Sequence, residues 1–477
     1  MKKLVLLIFL LFTIFSSTNA QSESNYKLYS PEELASDFNI MVRTIEDVHP
    51  NIYTKIDSIN FLNEKKKVLS KLKDSLDALD YFKIISPLVT KIGDAHTVVV
   101  LPWNEWERYV SNGGKYFPYL VTYNEGIRVR KCSNSSDTLE IGTRVLKVNG
   151  FSCDSLYNVF KNYRGGERQA YRDFLAANYF RYYLWLNKIN PPYKIEVATN
   201  NGNKTDTIIS EGIGQNQIKN ASSYYYNFRY LPQKIGYIDF RAMYNEHSES
   251  FDDFLKRVFS ELKRDSARGL IIDLRNNYGG HDSFGADLLG YITTKPFRLF
   301  SKKIWKMSSH YKDNLRDQIP WFLRWMSYPP IIWGVELFSK EARMLNAGDG
   351  ELIEADFNEI NPGYNALRYT GKVCFLIGIV TFSSGTDLAN AVKYYNIAPL
   401  FGEETGGVPN TFGEGYSFNL PNTKIEVSVS SARFVGADGD EKAIGGVKPN
   451  YEIKTSINDI KIGKDPVMDK AVEYILK

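Results

Sequence analysis

Between Val373 and Gly407 the chain reads VCFLIGIVTFSSGTDLANAVKYYNIAPLFGEETGG: an apolar run, two adjacent serines, a glycine, then a helical pattern. Lys372 to Gly378 shows no alternation, as in a strand buried on both faces, and Asp387 to Tyr394 turns helical. A serine at such a strand-to-helix junction exposes its hydroxyl at the strand's end, and the free N–H groups of the helix start can hold a developing oxyanion beside it. The chemistry that suits this arrangement is nucleophilic attack on a carbonyl. Ser383, Ser384 and Thr386 also read as helix caps, a position that hydroxyl side chains favour. Asp387, in the first turn, reads as a complement to the helix dipole.

A nucleophile of this kind needs a base. Gly93-Asp94-Ala95-His96-Thr97 follows a helical pattern and precedes the strand-like Val98 to Leu101. A histidine in a tight loop between two anchored elements can be aimed as a general base. The other histidines, His49, His247, His281 and His310, form no H-x-x-x-H pair with it or one another, and Cys132, Cys153 and Cys374 lack zinc-site spacing. No metal or other cofactor is expected. Cys132 and Cys153 are a possible disulfide pair in an exported chain.

The positioning elements are legible in order. Ser30-Pro31-Glu32-Glu33 opens a capped helix whose apolar face is Leu34, Phe38, Met41, Ile45 and Val48. A second helix is predicted over Phe61 to Leu72. A third carries Tyr81, Ile84, Ile85, Leu88, Val89 and Ile92, with Gly93 as its C-terminal cap. Short strands then fall at Tyr119 to Tyr123, Ile127 to Arg130 and Arg144 to Val148, followed by a helix over Ser155 to Tyr163. An aromatic helix runs through Tyr171, Phe174, Leu175, Phe180 and Trp185. From Gln233 the order is strand, helix, strand (Gly269 to Arg275) and a loop, Asn276-Asn277-Tyr278-Gly279-Gly280, which is βαβ grammar and predicts a largely parallel sheet. Asp273 and Arg275 are expected to organise that loop. Phe297 to Arg368, with Trp305, Trp321, Trp325 and Trp333, interrupts the grammar and reads as an insertion that forms a lid or a substrate wall.

The chain has 477 residues, enough for two or three domains, and its net charge of +4 comes from 59 basic and 55 acidic residues. No basic cluster is interleaved with aromatics, so nucleic acid is not an expected partner. Met1 to Ala20 has Lys2 and Lys3, an apolar stretch from Leu4 to Phe15 and small residues after it, the pattern of a secretory signal. The mature chain is then exported, periplasmic or extracellular, with no stable membrane span after cleavage.

Three segments, GDAHT around His96, LIIDLRNNYGG ending at Gly280, and TFSSGTDLA with GEETGG, together resemble the C-terminal-processing, or tail-specific, serine peptidases. The similarity is closest to the branch of the tricorn core protease and the retinoid-binding repeats that share its fold. The resemblance implies an α/β (α+β multidomain) architecture. Its expected parts are a signal peptide over 1–20, a helical N-terminal domain over 21–101, a PDZ-like module over 116–200, and a crotonase-like catalytic core over 233–477 with the insertion at about 297–368.

The resemblance also implies roles. SGTD of Ser384 to Asp387 matches the family's SASE-like turn, which makes Ser384 the nucleophile in preference to Ser383. The N–H of Gly385, with that of Gly279 or Gly280, would form the oxyanion hole. Val408 stands where many members carry a dyad lysine, whereas the tricorn-like branch uses a histidine from the segment matching GDAHT, here His96. The orienting acid would come from the C-terminal loop, Glu441 first, with Asp440 or Asp438 as alternatives; Ala95 replaces a serine of that branch. The expected function is an exported serine endopeptidase acting on polypeptides. The rival is a catalytically inactive protein that binds a peptide or an apolar ligand on the same fold, and an esterase would use the same residues.

Overall fold

A computed structural model describes residues 26–132, 139–198, 205–215, 224–329, 331–332 and 339–477; the expected signal peptide and Trp333 lie outside them. The architecture is mixed α/β and multidomain. Its centre is a six-stranded sheet in the order Tyr451–Glu452, Leu400–Gly402, Lys372–Ile377, Gly269–Asp273, Ile235–Phe240 and Tyr226–Leu231. All neighbours are parallel except the last pair. The strands that lacked alternation are buried on both faces because helices cover both sides. Ile238, Phe240, Leu270, Ile272, Phe375 and Ile377 pack toward the helices Phe251–Arg264, Ser283–Gly290 and Ser384–Tyr394. Their neighbours in sequence, Ile235, Tyr237, Ile271, Cys374 and Leu376, pack on the C-terminal helix Pro466–Leu476. Helix Phe251–Arg264 buries Phe251, Phe254, Leu255, Val258, Phe259 and Leu262, each burial contributing roughly 1.5–3 kcal/mol.

A second, antiparallel sheet walls the carboxyl ends of the parallel strands. Its order is Val98–Val99, Glu426–Gly436, Phe300–Lys306 and Leu352–Asp356, with Phe412–Asn419 also paired to Glu426–Gly436. The stretch read as an insertion therefore supplies two strands of this sheet. Lys303 lies opposite Phe434 in the register, which brings residues of the apparent interruption to the site.

The N-terminal helices Pro31–Val48, Ser58–Leu69 and Ala78–Thr90 start at Ser30, Asp57 and Asp77, each side chain accepting from an N–H of the first turn. Ser30 and Glu33 form the reciprocal capping box. Gly93, at φ +78°, turns the chain out of the third helix and into the histidine loop. Between these helices and the parallel sheet lie a hairpin, Tyr119–Tyr123 with Ile127–Cys132, and a four-stranded sheet. The aromatic helix divides in two, Gln169–Asn178 and Phe180–Leu186, at Tyr179. The aromatic side chains Phe180, Tyr183 and Trp185 are core residues. Cys132, Cys153 and Cys374 are free thiols; Cys132 Sγ lies 3.1 Å from the Leu139 carbonyl and Cys153 is buried, so the expected pair does not form. Among the described residues no helix is long and apolar enough to cross a membrane.

One carboxylate joins the helical segment to the antiparallel sheet. Asp37, fully buried, accepts from the N–H of Asn422 (3.0 Å) and of Thr423 (2.8 Å), from Asn422 Nδ2 (2.9 Å) and from Thr423 Oγ1 (2.7 Å). Replacing it by alanine strands the buried N–H of Thr423 and the half-buried N–H of Asn422. Asp37→Ala is expected to destabilise the fold by about 3 kcal/mol, read as a lower urea midpoint. An unchanged midpoint would show that water replaces the carboxylate.

Candidate active site

The two expected segments meet, with a different serine at the contact. His96 Nε2 lies 3.2 Å from Ser383 Oγ. Ser384 begins the helix, is buried, and turns its hydroxyl away to donate to the Gly280 carbonyl at 2.7 Å. The backbone makes the difference. Ser383 has φ 51° and ψ −134°, a sparsely populated conformation for a residue with a Cβ that costs about 1–3 kcal/mol and throws its side chain out of the turn, as in a nucleophile elbow. Glycine two positions later is the signal in the sequence that favours Ser383. A Cβ on Gly385 would stand 2.5 Å from Asn277 Oδ1, so the helix can approach the glycine loop only if that residue is glycine.

Asn277 is the clamp between the two loops. Its side-chain Nδ2 donates to the Phe240 carbonyl and its Oδ1 accepts from Gly279 N–H, both at 2.9 Å, while its own carbonyl accepts from Phe382 N–H at 2.9 Å. Two of the three expected oxyanion donors are therefore occupied: Gly279 N–H by Asn277, and Gly385 N–H by the Phe382 carbonyl at 3.0 Å. The N–H groups of Gly280 and Ser384 carry no hydrogen bond among the described residues. Asp273 and Arg275 hold the base of the loop: Arg275 binds Asp273 (2.7 Å) and Asp465 (2.9 Å), and Tyr237 donates to Asp273.

His96 is fixed from several directions. Its backbone N–H donates to Asp94 Oδ1 at 2.9 Å, and its Nδ1 is 3.7 Å from the same oxygen. Asp94, buried, also receives His49 Nε2 (3.3 Å), Thr97 Oγ1 (2.5 Å) and Ser430 Oγ (2.6 Å). Since His49 Nδ1 accepts from Asn51 N–H, its Nε2 is the donor. The imidazole of His96 stacks on Phe382 at 4.7 Å, and Phe382 stacks on Tyr171 at 4.8 Å. Burial opposes the charge of Asp94, but the hydrogen bonds from His49 and His96, with the electrostatic attraction of the two rings, hold its pKa well below the carboxylate range. Burial likewise opposes protonation of His96. The adjacent carboxylate of Asp94, with the charges of Glu167 and Asp387, outweighs it and raises its pKa.

Glu441 does not join this group. Its carboxylate is bound at the surface by Lys302 (3.0 Å) and Arg433 (3.1 Å), which lower its pKa together. Asp440 accepts from Lys442 N–H and Asp438 from Asp440 N–H, turns within their own loop. The acids near His96 are instead Asp94 and Glu167. Glu167 comes from the loop after helix Cys153–Phe160, a loop held to the core by Arg168, which binds Glu404 at 2.7 Å. It accepts from Thr411 Oγ1 at 2.8 Å, while its other oxygen and His96 Nδ1 are buried without a hydrogen bond among the described residues. Burial, with the charge of Asp94, pushes its pKa up to about 7. Nothing in the local sequence around Glu167 marks it.

Ser383 and His96 open into a cavity of about 570 Å³ between the glycine loop, the Ser384–Tyr394 helix and the antiparallel sheet. Residues 234–453 match the model of peptidase family S41. This core is therefore similar to the peptidases of family S41. Among solved structures the chain is similar to mature CPAF, at 15% identity over 94% of this chain and 96% of that one, with a TM-score of 0.62. It is also similar to mature CPAF complexed with lactacystin, at 15% identity over 93% and 97%, with a TM-score of 0.63. At such identity the likeness is one of fold. No curated protein matches the chain.

Gly385→Ala is expected to cost about 1–3 kcal/mol through overpacking against Asn277. Gly290→Ala, at a helix end where a Cβ meets nothing within 4 Å, should be neutral or slightly stabilising. Urea unfolding of the two variants side by side checks the contrast; equal midpoints would refute the tight approach at Gly385.

Proposed function

We propose that the protein is an exported serine endopeptidase in which Ser383 is the nucleophile and His96 the general base. The observation that carries this reading is the 3.2 Å approach of His96 Nε2 to the hydroxyl of a serine in a strained turn. Ser383 donates its proton to Nε2 as Oγ attacks a peptide carbonyl. The oxyanion so formed lies between the free N–H groups of Ser384 and Gly280. His96 then returns the proton to the leaving amine as the C–N bond breaks, and water activated by the same imidazole releases the acyl group. Ser384 keeps a part in this scheme through its backbone, not its hydroxyl.

Asp94 supplies the charge that stabilises the imidazolium, the role expected of Glu441, and Glu167 adds to it. Val408, buried beside this region, removes the lysine-dyad alternative. Polypeptides are the substrates that the similarity of residues 234–453 to peptidase family S41 supports, and the N-terminal signal pattern supports export. The rival reading, a binding protein on the same fold, gains nothing from a serine held in this conformation against an imidazole.

Reaction of the mature protein with a fluorophosphonate, followed by peptide mapping, tests the assignment. Label is expected on Ser383, lost in Ser383→Ala, strongly reduced in His96→Ala and retained in Ser384→Ala. Peptide hydrolysis by Ser383→Ala should fall by on the order of a thousandfold or more. Label on Ser384 would return the role to that residue, and a folded protein that takes no label would favour the binding reading.

The pH profile is a second check. His96 must be neutral to accept a proton, and its pKa is raised, so activity should fall on acidification at a pH above the ordinary histidine value of about 6.5. Glu167→Gln removes one of the charges that raises it. The acid limb of kcat/KM should move to lower pH in that variant; a limb that stays in place would separate Glu167 from His96.

A further inference from the structure

The cavity beside Ser383 contains a carboxylate that the reaction does not use. Asp387 lies in the first turn of the helix Ser384–Tyr394, which Ser383 immediately precedes. It is only 6% exposed and lines the cavity, yet its carboxylate has no hydrogen bond or ion pair among the described residues. A buried carboxylate without a partner is costly, and native structures rarely keep one without a use. Asp282, at the start of the neighbouring helix Ser283–Gly290, lines the same cavity and makes no side-chain cap contact.

The positive charge already present is committed. Lys303 Nζ is 2.6 Å from Glu414 and lies over the rings of Phe434 (4.6 Å) and Trp305 (5.0 Å). Lys303 and Glu414 therefore cancel. Asp282 and Asp387 then face the cavity with no basic side chain paired to them among the described residues. Burial and the charge of Asp282 push Asp387 up to about 8, against the opposing charges of His96 and Lys303. A cation in the cavity would supply the missing partner. Tyr244 and Tyr278, also on the cavity wall, supply aromatic surface of the kind that suits an alkyl stem and its cationic head.

We propose that this cavity is a specificity subsite for a lysine or arginine side chain of the substrate next to the scissile bond, with Asp387 and Asp282 as its carboxylate partners. The assignment rests on the peptidase reading above. It distinguishes this site from one that selects apolar residues, since a leucine there would sit against two carboxyl groups and leave both unpaired, whereas a cation draws Asp387 into its charged form.

A peptide library whose cleavage sites are mapped by mass spectrometry tests it, together with fluorogenic peptides that differ only in having Arg, Lys, Leu or Glu at the mapped position. Cleavage is expected beside Arg and Lys. The kcat/KM ratio of Arg to Leu should fall by roughly a hundredfold in Asp387→Asn, as for removal of one partner of a buried charge pair. Asp282→Lys, at a half-exposed helix start, should shift preference from Arg toward Glu and covers the case that Asp387→Asn does not fold. Benzamidine, a compact cation, should slow fluorophosphonate labelling of wild-type Ser383. Labelling of Ser383 with cleavage beside apolar or acidic residues, or an Arg to Leu ratio unmoved by both substitutions, would overturn the cationic subsite and leave the peptidase reading intact. No labelling of folded wild type would overturn both.

Discussion

The buried carboxylate of Asp94 is the interaction on which the arrangement of the site depends. It draws the C-terminal end of the first helix through His49, the following strand through Thr97, the antiparallel sheet through Ser430, and the backbone of His96 itself. A charge so buried survives only because every approach to it brings a donor; breaking such a set by removing one partner typically costs about 3–5 kcal/mol. The expense falls on a point where three structural units converge. The histidine that emerges from it is consequently fixed relative to the sheets and not merely to its own loop.

The serine loop is fixed differently, by backbone strain held with hydrogen bonds between threonine hydroxyls and the main chain. Thr381 donates from Oγ1 to the Leu274 carbonyl at 2.7 Å and accepts from Gly378 N–H at 3.0 Å, and its own carbonyl takes donors from Gly407 and Thr386. These contacts hold the residues on either side of Ser383, so the unfavourable φ of that one residue has nowhere to relax. The aromatic column Tyr171, Phe382 and His96 then couples the two loops side by side. Rotation of the imidazole would lose its stacking surface, which ties the base to the same segment that carries the nucleophile.

Much of this was legible in the sequence because period and capping are local signals. The capped helix at Ser30, the turn at Gly93, the buried strands and the βαβ order all follow from neighbours in the chain, and so does the pairing of the GDAHT loop with the TFSSG turn once their resemblance to the peptidases is seen. What was not legible depends on distant contacts. Two adjacent serines differ only in which side of the helix start they fall, a matter decided by how closely Gly385 approaches Asn277. Glu441 looked well placed in its loop, but Lys302 and Arg433 claim it, and Lys302 belongs to the stretch that read as an insertion. Glu167 lies in a segment far from both motifs and reaches the site only because Arg168 anchors its loop to Glu404.

Asp387 shows how magnitudes separate two readings of one residue. A carboxylate in the first turn of a helix gains about 0.3–1 kcal/mol from the dipole, which is reason enough for an exposed one. Here burial and Asp282 move the group from the ordinary carboxylate range to about 8, a penalty on ionisation of several kcal/mol at 1.36 kcal/mol per pH unit. The dipole is the smaller effect, and a carboxyl held largely protonated at neutral pH does little to complement it. Helix stability therefore does not explain the residue. A polar group kept at such a cost, four residues from the nucleophile and facing the cavity, is explained by what enters that cavity.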